Sequence, residues 1–206
     1  MNNPWDAVKL FEKMVAEYTG SKYCIAVDSC TNAIFLSLMY NKSFNLYKDT
    51  QIIIPERTYI SVPMQIKNAG FKPIFKNIKW KLEYELKNTN IIDSAQNFNK
   101  NIYIKNKLHC LSFQYKKQIP IGKGGAILTD SKKAYNWLIK ARHDGRNMYK
   151  NFGNIDDVKS IGWHCPMLPS EACIGIELLF NKNLMKTNIG NNYKNYKKIN
   201  SKIFNN

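Results

Sequence analysis

The sequence predicts an α/β fold of three layers, in which helices cover both faces of a mainly parallel mixed sheet. Short apolar runs alternate along the chain with segments whose apolar residues recur at helical spacing. Strands that alternate with helices are typical of a mainly parallel sheet that is buried on both faces. The chain has 206 residues, of which 44% are hydrophobic, and this is enough for one well-packed domain.

Helix and strand boundaries follow from capping residues, glycines and apolar spacing. The first helix is predicted to begin at Asn3 and Pro4, a capping side chain followed by a proline, and to end at Gly20. Ser131 is predicted to cap a helix that runs to about Arg142. Further helices are predicted over residues 31–39 and 59–69, and a loop at 161–167 leads into another packed helix. The predicted strands cover residues 22–27, 51–54, 71–75, 90–92, 108–113 and 125–129.

The composition restricts the class of protein and its compartment. The formal net charge is +16, but the lysines are spread along the chain beside asparagines, which favours a solvated surface. A positive field would still attract a phosphorylated cofactor or a nucleotide-linked substrate. The five cysteines are scattered along the chain and no two have C-x-x-C spacing, which favours reduced thiols in a cytoplasm over a disulfide or zinc framework. The sequence shows neither a signal peptide nor an apolar run long enough for a membrane span.

Polar and aromatic side chains follow several of the predicted strands. Residues 29–31, Tyr59 and Asp93 come just after strand ends, and Ser112 lies near one. In open α/β sheets, ligands bind beyond the carboxyl ends of the strands. We therefore expect these side chains to lie at one edge of the sheet and to form a binding site there.

Each of these residues also has a purely structural interpretation. Ser29 or Thr31 alone would be a helix cap, although N–H groups at a helix start with hydroxyls nearby also form an anion site. Tyr59 alone would be a core aromatic, although it could stack on a planar ring. Asp93 would either cap a following helix or pair with a pyridinium N–H, which would offset the cost of burying a carboxylate. The basic segment 142–146 would be a helix end or a site for an anionic substrate.

Lys117 lies in a segment that has the character of a pyridoxal 5'-phosphate (PLP) site. Lys117 and its neighbour Lys116 would be solvated charges in most proteins, but apolar residues flank them and a Gly-x-Gly-Gly turn follows at 122–125. A Schiff-base lysine must be partly desolvated so that its pKa falls and the free amine is available. PLP also needs a carboxylate beside its pyridine nitrogen and a cradle for its phosphate. With Asp93 and residues 29–31, the sequence contains a candidate for each requirement.

Six short segments together resemble the sugar aminotransferases of the DegT/DnrJ/EryC1/StrS family, which are fold-type I PLP-dependent enzymes. The segments occur in the family's linear order and span most of the chain. They are an N-terminal helix at 11–20, a phosphate loop at 26–32, a ring-stacking segment at 54–59, an acid-and-glutamine motif at 93–96, a lysine segment at 112–125, and a segment at 162–167 that in the family reaches the neighbouring subunit's site.

The resemblance implies a PLP-binding homodimer with shared active sites. Its reaction would move an amino group from an amino acid, usually glutamate, to a keto group of a nucleotide-linked sugar. Lys117, rather than Lys116, would form the Schiff base and carry the proton, because it has the family's spacing to Ser112 and Gly122. The other implied contacts are Asp93 at the pyridine nitrogen, Gln96 near the ring hydroxyl, Tyr59 on the ring, Ser112 and the N–H groups around Cys30 and Thr31 at the phosphate, and His164 from the partner chain.

The chain also departs from the family pattern. Only about 15 residues separate Phe75 from Ile91, so a strand and a helix of the family are expected to be missing there. We expect a PLP-binding large domain at residues 1–180, shortened between 76 and 90, and a helical tail at 181–206 that is the remnant of the small domain. Cys30, Lys123 and His164 replace a glycine, a glutamate and an asparagine of the family.

The sequence leaves three other functions open. The main alternative is a relative that binds the cofactor or a partner without turnover, because the small domain normally helps to close the site. A related sugar dehydratase is less favoured, because that branch has histidine in place of the lysine. Nucleic-acid binding is disfavoured, because the aromatic residues follow strand and helix patterns instead of interleaving with an Arg/Lys stripe. No metal site is expected.

Overall fold

A computed structural model of the chain describes residues 3–149, 158, 160–186 and 192–204. The α-helices in these ranges are α1 (Asp6–Thr19), α2 (Cys30–Ser43), α3 (Ser61–Asn68), α4 (Lys132–Ala141) and α5 (Pro169–Phe180). The strands are β1 (Tyr23–Val27), β2 (Gln51–Pro55), β3 (Lys72–Lys76), β4 (Tyr84–Leu86), β5 (Ile91–Asp93), β6 (Leu108–Ser112) and β7 (Gly125–Thr129). Short 3-10 helices lie at Lys182–Leu184, Tyr193–Asn195 and Ser201–Phe204.

Most of the predicted boundaries are confirmed to within a few residues, and so are two of the predicted caps. Gly20 ends α1 with φ 78°, in the left-handed region where glycine carries no Cβ penalty. The Ser131 side chain accepts a hydrogen bond from the Ala134 backbone N–H and caps α4. Gly20 and Ser131 therefore form the helix ends that they predicted. The predicted start of the first helix is wrong, because α1 begins at Asp6 with Trp5 at its N-cap, and the Asn3 side chain accepts a hydrogen bond from the Trp5 N–H at 3.0 Å.

The strands form a mixed sheet. Strands β1, β7, β6, β5 and β4 are neighbours in that order, and β2 and β3 form a separate parallel pair. An antiparallel bridge between Ile53 and Lys87 joins β2 to the end of β4. The pair directions show that β4 and β7 run against the other strands of the described chain. Most strands therefore share one direction, as predicted, although the only parallel neighbours among the described strands are β2–β3 and β5–β6.

Helices cover both faces of this sheet, which confirms the three-layer α/β/α prediction. Because side chains alternate along a strand, Ile25 and Val27 of β1 join the core beneath α2, α3 and α4. The intervening Cys24 and Ala26 join the core beneath α1 and α5. Within the described ranges, no helix has the length and apolar character needed to cross a membrane.

Two parts of the fold differ from the prediction. The short segment between β3 and β5 contains the strand β4, which pairs antiparallel with β5. Asp93 does not cap a helix, because described residues 94–107 form turns and loops only. The described part of the tail after residue 181 consists of 3-10 helices and irregular chain. Its assignment as a remnant of a small domain stays a prediction.

A buried ion pair connects the N-terminal helix to the sheet and to α4. The Arg142 guanidinium is fully buried and pairs with Glu12 of α1, while it also donates to the Ala26 carbonyl oxygen of β1 and to the Tyr149 hydroxyl. Glu12 in turn accepts from the Ala26 N–H at 2.7 Å and from the Tyr149 hydroxyl at 2.6 Å. Arg142 therefore has a structural role and does not bind an anionic substrate, and the helix-end interpretation of residues 142–146 is supported.

Replacing Glu12→Ala should lower the free energy of unfolding by about 3 to 5 kcal/mol, because it leaves the buried Arg142 charge unpaired. The matched control is Glu17→Ala on the same helix, where Glu17 forms an exposed pair with Lys13 at 3.8 Å. The control should change stability by no more than about 0.5 kcal/mol. Urea unfolding of both variants measures the difference, and equal losses would contradict the role given to Arg142.

Candidate functional site

A cavity of about 530 Å³ lies at one edge of the sheet. Strands β1, β2, β5 and β6 end at this edge, and the antiparallel strand β7 begins there. The polar and aromatic residues that line the cavity are Ser29, Cys30, Thr31, Thr58, Tyr59, Ser61, Trp80, Tyr84, Asp93, Gln96, Ser112, Gln114, Lys116, Lys117, Lys123, Asn195 and Tyr196. Seven of the eight residues predicted for the site are among them, and His164 is the exception.

The start of α2 forms one wall of the cavity. The Ser29 side chain accepts a hydrogen bond from the Asn32 N–H at 3.2 Å and caps the helix. The Thr31 hydroxyl lies 2.9 Å from the Ser61 hydroxyl at the start of α3. Hydroxyls and free N–H groups at a helix start are suited to an anion such as a phosphate. The helix-cap and anion-site interpretations of this segment are therefore compatible.

Glycines allow the chain to pass close to this helix start. A Cβ on Gly125 would lie only 2.4 Å from the backbone nitrogen of Cys30, so a larger residue would push β7 away from α2. Gly124 has φ +136°, a conformation that L side chains rarely adopt. The Gly-x-Gly-Gly turn after Lys117 thus holds the lysine segment against the helix start.

Asp93 lies at the floor of the cavity, at the end of β5. It is 6% exposed, and its two oxygens accept hydrogen bonds from the Tyr84 hydroxyl at 2.7 Å and from the Ala95 N–H at 3.0 Å. Burial raises the pKa of the Asp93 carboxyl above its usual value, while these two hydrogen bonds and the nearby Lys117 oppose the rise. A cationic N–H group in the cavity would offset the cost of keeping this carboxylate buried.

Lys117 differs from Lys116 in the way a reactive amine requires. The Lys117 side chain is half-buried, and burial lowers its pKa, although Cys30 and Asp93 partly oppose the change. Lys116 is exposed, and its ammonium lies 5.4 Å from the centre of the Tyr115 ring. A lower pKa increases the fraction of free amine near neutral pH. The environment of Lys117 is therefore the one suited to a reactive amine, and its role as the Schiff-base lysine stays a prediction.

Tyr59 and Gln96 occupy different parts of the cavity. Tyr59 is 61% exposed, so it is not a core aromatic and its ring is free to contact a ligand. Gln96 is buried, and its side-chain nitrogen donates to the Tyr196 hydroxyl at 2.6 Å. The Arg57 guanidinium donates to the backbone oxygen of Tyr196 at 2.9 Å. The C-terminal segment thus contributes directly to the wall of the cavity.

The segment between β3 and β5 supplies two further aromatic residues. Trp80 packs against Tyr84 and Tyr196 with ring centres 5.2 and 5.4 Å away. Sequence reasoning missed all three. The alternation of Tyr84 and Leu86 around Glu85 is too short to distinguish a strand from a loop, so no pattern in the sequence locates Tyr84. Tyr196 follows Gln96 by 100 residues, and no local pattern in the sequence connects them.

His164 lies outside the cavity. Its side chain is 73% exposed, and its Nδ1 is 2.8 Å from a carboxylate oxygen of Asp144. The resemblance assigned His164 to the site of a neighbouring subunit, so its position in a single chain does not test that role. The contact from a partner chain stays a prediction.

A cluster of hydrogen-bonded polar side chains, those of Ser94, Glu83 and His109, lies next to Asp93. The Ser94 hydroxyl donates to Glu83 at 3.0 Å and is 3.4 Å from Nδ1 of His109. Nε2 of His109 accepts from the Ile104 N–H at 3.2 Å, so the ring is held in the neutral form with its proton on Nδ1. Burial lowers the pKa of His109 to about 4. If His109 were protonated, its Nε2 would carry a hydrogen and could no longer accept the hydrogen bond from the Ile104 N–H.

The cavity fits PLP in its main requirements. A buried carboxylate, a desolvated lysine, an exposed tyrosine ring and a helix start with hydroxyl groups all face one space of about 530 Å³. These are the groups that a pyridine nitrogen, an aldehyde, an aromatic ring and a phosphate would contact.

Comparisons with known proteins relate the chain to a family of aminotransferases. The model of the DegT/DnrJ/EryC1/StrS aminotransferase family matches residues 2–102. The spore coat polysaccharide biosynthesis protein SpsC of Bacillus subtilis (strain 168) is 35% identical over 71 residues, which are 34% of this chain and 18% of SpsC.

Solved structures share the fold. A variant of GDP-4-keto-6-deoxymannose-3-dehydratase (ColD) with bound GDP-perosamine is 21% identical with a TM-score of 0.66, and the match covers 87% of this chain and 61% of ColD. Helicobacter pylori PseC, an aminotransferase involved in the biosynthesis of pseudoaminic acid, is 17% identical with a TM-score of 0.68, over 86% of this chain and 58% of PseC. This chain therefore spans about three-fifths of the length of these two structures.

The environment of His109 predicts that stability falls in mild acid. The unfolded chain takes up a proton near pH 6.5 and the folded chain only near pH 4, so the free energy of unfolding should fall by up to about 3 kcal/mol between these values. Urea unfolding at pH 7.5 and pH 4.5 measures the loss. His109→Gln, which cannot titrate, should show a smaller loss over the same interval. The same loss in both proteins would show that His109 is not responsible.

Proposed function

We propose that this chain, a member of the DegT/DnrJ/EryC1/StrS aminotransferase family, binds PLP and transfers an amino group to a sugar. The amino donor would be an amino acid, namely glutamate, and the acceptor would be a keto group of a nucleotide-linked sugar. The observation that carries the proposal is the meeting of Lys117 and Asp93 in one cavity, where each influences the pKa of the other. These two groups are the ones that attach and orient the cofactor.

PLP, when bound, supplies an electron sink that stabilises negative charge at the substrate carbon next to nitrogen. Asp93 would accept the pyridine N–H, and Tyr59 would cover one side of the ring. The N–H groups around Cys30 and Thr31, with the hydroxyl of Ser112, would bind the phosphate. Lys117 would hold the cofactor and then move a proton to and from the substrate carbon, which its lowered pKa favours.

The acceptor would contact aromatic and cationic residues that line the cavity. Trp80 and Tyr196 provide apolar surface, while Lys116 and Lys123 provide positive charge. A nucleotide-linked sugar carries both a flat base and a negatively charged diphosphate, so these groups complement it. ColD was solved with GDP-perosamine, a ligand of the same chemical class.

A homodimer in the cytoplasm completes the proposal. The segment that carries His164 would contact the partner's cavity, as the resemblance implies. All five cysteines have free thiols, and four of them are at least partly buried. Free thiols are usual in a reducing compartment.

Binding without turnover is the second candidate. The hydrogen bond between Gln96 and Tyr196 favours it, because it engages the side chain expected at the cofactor's ring hydroxyl. Lysine at position 117 favours amino transfer over dehydration, because the dehydratase branch of the family has histidine there.

The visible absorption of the purified protein with added PLP tests the proposal. Wild type and Lys116→Ala should develop the band that PLP gains when its aldehyde binds an amine, and Lys117→Ala should not. Lys116 is the matched control, because it is the adjacent lysine and also lines the cavity. Glutamate should then bleach the band in the wild type.

The possible results separate the candidates. A band that survives Lys117→Ala and disappears in Lys116→Ala would overturn the lysine assignment. A wild-type band that glutamate does not bleach would support binding without turnover. The absence of a band in every protein would contradict PLP binding itself.

A further inference from the structure

We propose that Tyr84 is a positioning residue that fixes the Asp93 carboxylate for the pyridine nitrogen of the cofactor. The proposal rests on the proposed function and extends it to strand β4. It would make the short segment between β3 and β5 a working part of the cofactor site.

The hydrogen bonds around Tyr84 have a defined direction. Its hydroxyl donates to Oδ2 of Asp93 at 2.7 Å, so its oxygen is left to accept from the Thr58 hydroxyl, 2.5 Å away. The other Asp93 oxygen accepts from the Ala95 N–H at 3.0 Å. The carboxylate is therefore held at both oxygens, and each oxygen keeps a lone pair for a further donor.

Strand pairing and packing hold the tyrosine in place. Tyr84 is directly opposite Asp93 in the antiparallel register of β4 and β5, where side chains of opposed residues are neighbours. Trp80 packs on the Tyr84 ring, and its indole N–H donates to the Arg57 carbonyl oxygen at 2.8 Å. Tyr84 is 8% exposed, so water does not compete strongly for its hydroxyl.

The hydrogen bond from Tyr84 also affects which form of the carboxyl is present. Burial raises the pKa of Asp93, and the Tyr84 bond is the strongest of the contacts that lower it. The other titratable groups that influence Asp93, or are influenced by it, are Lys117 after β6, Glu83 before β4, Cys30 of α2, Cys110 of β6 and Tyr196 of the tail. Of these, Lys117 favours the ionised carboxyl and Glu83 opposes it. Tyr84 thus helps to keep an anion ready for the pyridinium.

The first test uses the protein without cofactor. Carbon-13 NMR of aspartate carboxyl groups, with the Asp93 signal assigned by its loss in Asp93→Asn, gives the pKa of Asp93 directly. Tyr84→Phe should raise this pKa, because the carboxylate loses a donor while it stays buried. The control is Tyr40→Phe, which removes the hydroxyl of another buried tyrosine near the far end of α2 and should leave the Asp93 signal unchanged. An Asp93 pKa that is the same in wild type and Tyr84→Phe would overturn the proposal.

The second test follows the affinity for PLP as a function of pH. Binding needs the Asp93 carboxylate, so on the acid side the affinity should fall about tenfold for each pH unit. In Tyr84→Phe this acid limb should move to higher pH, in step with the Asp93 pKa from NMR, whereas in Tyr40→Phe it should not move. A merely structural role of Tyr84 would lower thermal stability and leave the limb in place, which would contradict the proposal.

A third variant covers the case in which Tyr84→Phe does not fold. Thr58→Val removes the hydroxyl that donates to Tyr84, so it should move the Asp93 pKa in the same direction by a smaller amount, and no movement would count against the proposal. The NMR arm needs no cofactor. If wild type fails to bind PLP, the proposed function fails, while the contact between Tyr84 and Asp93 is still tested.

Discussion

The site is organised around a carboxylate that is buried where a strand ends. Removing a charged carboxyl from water is costly unless hydrogen bonds and nearby charges compensate. Asp93 receives two hydrogen bonds and lies near the amine of Lys117, yet its pKa is still raised by burial. The remaining cost is the physical reason to expect a cationic ligand, since a pyridinium N–H placed in the cavity would remove it.

The geometry of the sheet brings the other groups to this carboxylate. Strands β1, β2, β5 and β6 share one direction, so residues distant in sequence reach the same edge. The antiparallel β7 starts at that edge, and Gly125 lets it pass against the first turn of α2. The lysine segment between β6 and β7 is thereby held over the cavity. A larger residue at position 125 would therefore move Lys117 relative to Asp93 without altering either residue.

Sequence reasoning identified the residues that follow strands, because apolar runs, caps and glycines are local signals. The same reasoning identified Ser29, Tyr59, Asp93 and Ser112 as neighbours, since the carboxyl ends of parallel strands meet. It could not identify Tyr84 or Tyr196. Tyr84 belongs to a strand of three residues, which is too short for periodicity to distinguish from a loop. Tyr196 reaches Gln96 through tertiary packing of the tail, which no local pattern encodes.

Contacts in the fold show which roles single residues have, structural or ligand-binding. Ser29 both caps α2 and lines the cavity, because a helix start serves both purposes. Arg142, by contrast, is buried in an ion pair with Glu12 and a hydrogen bond to Tyr149, so its guanidinium does not face the cavity. The measurement that tests the central claim most directly is borohydride reduction of the protein with bound PLP, followed by peptide mapping. The account predicts a phosphopyridoxyl group on Lys117, whereas modification of Lys116, or of many surface lysines equally, would contradict it.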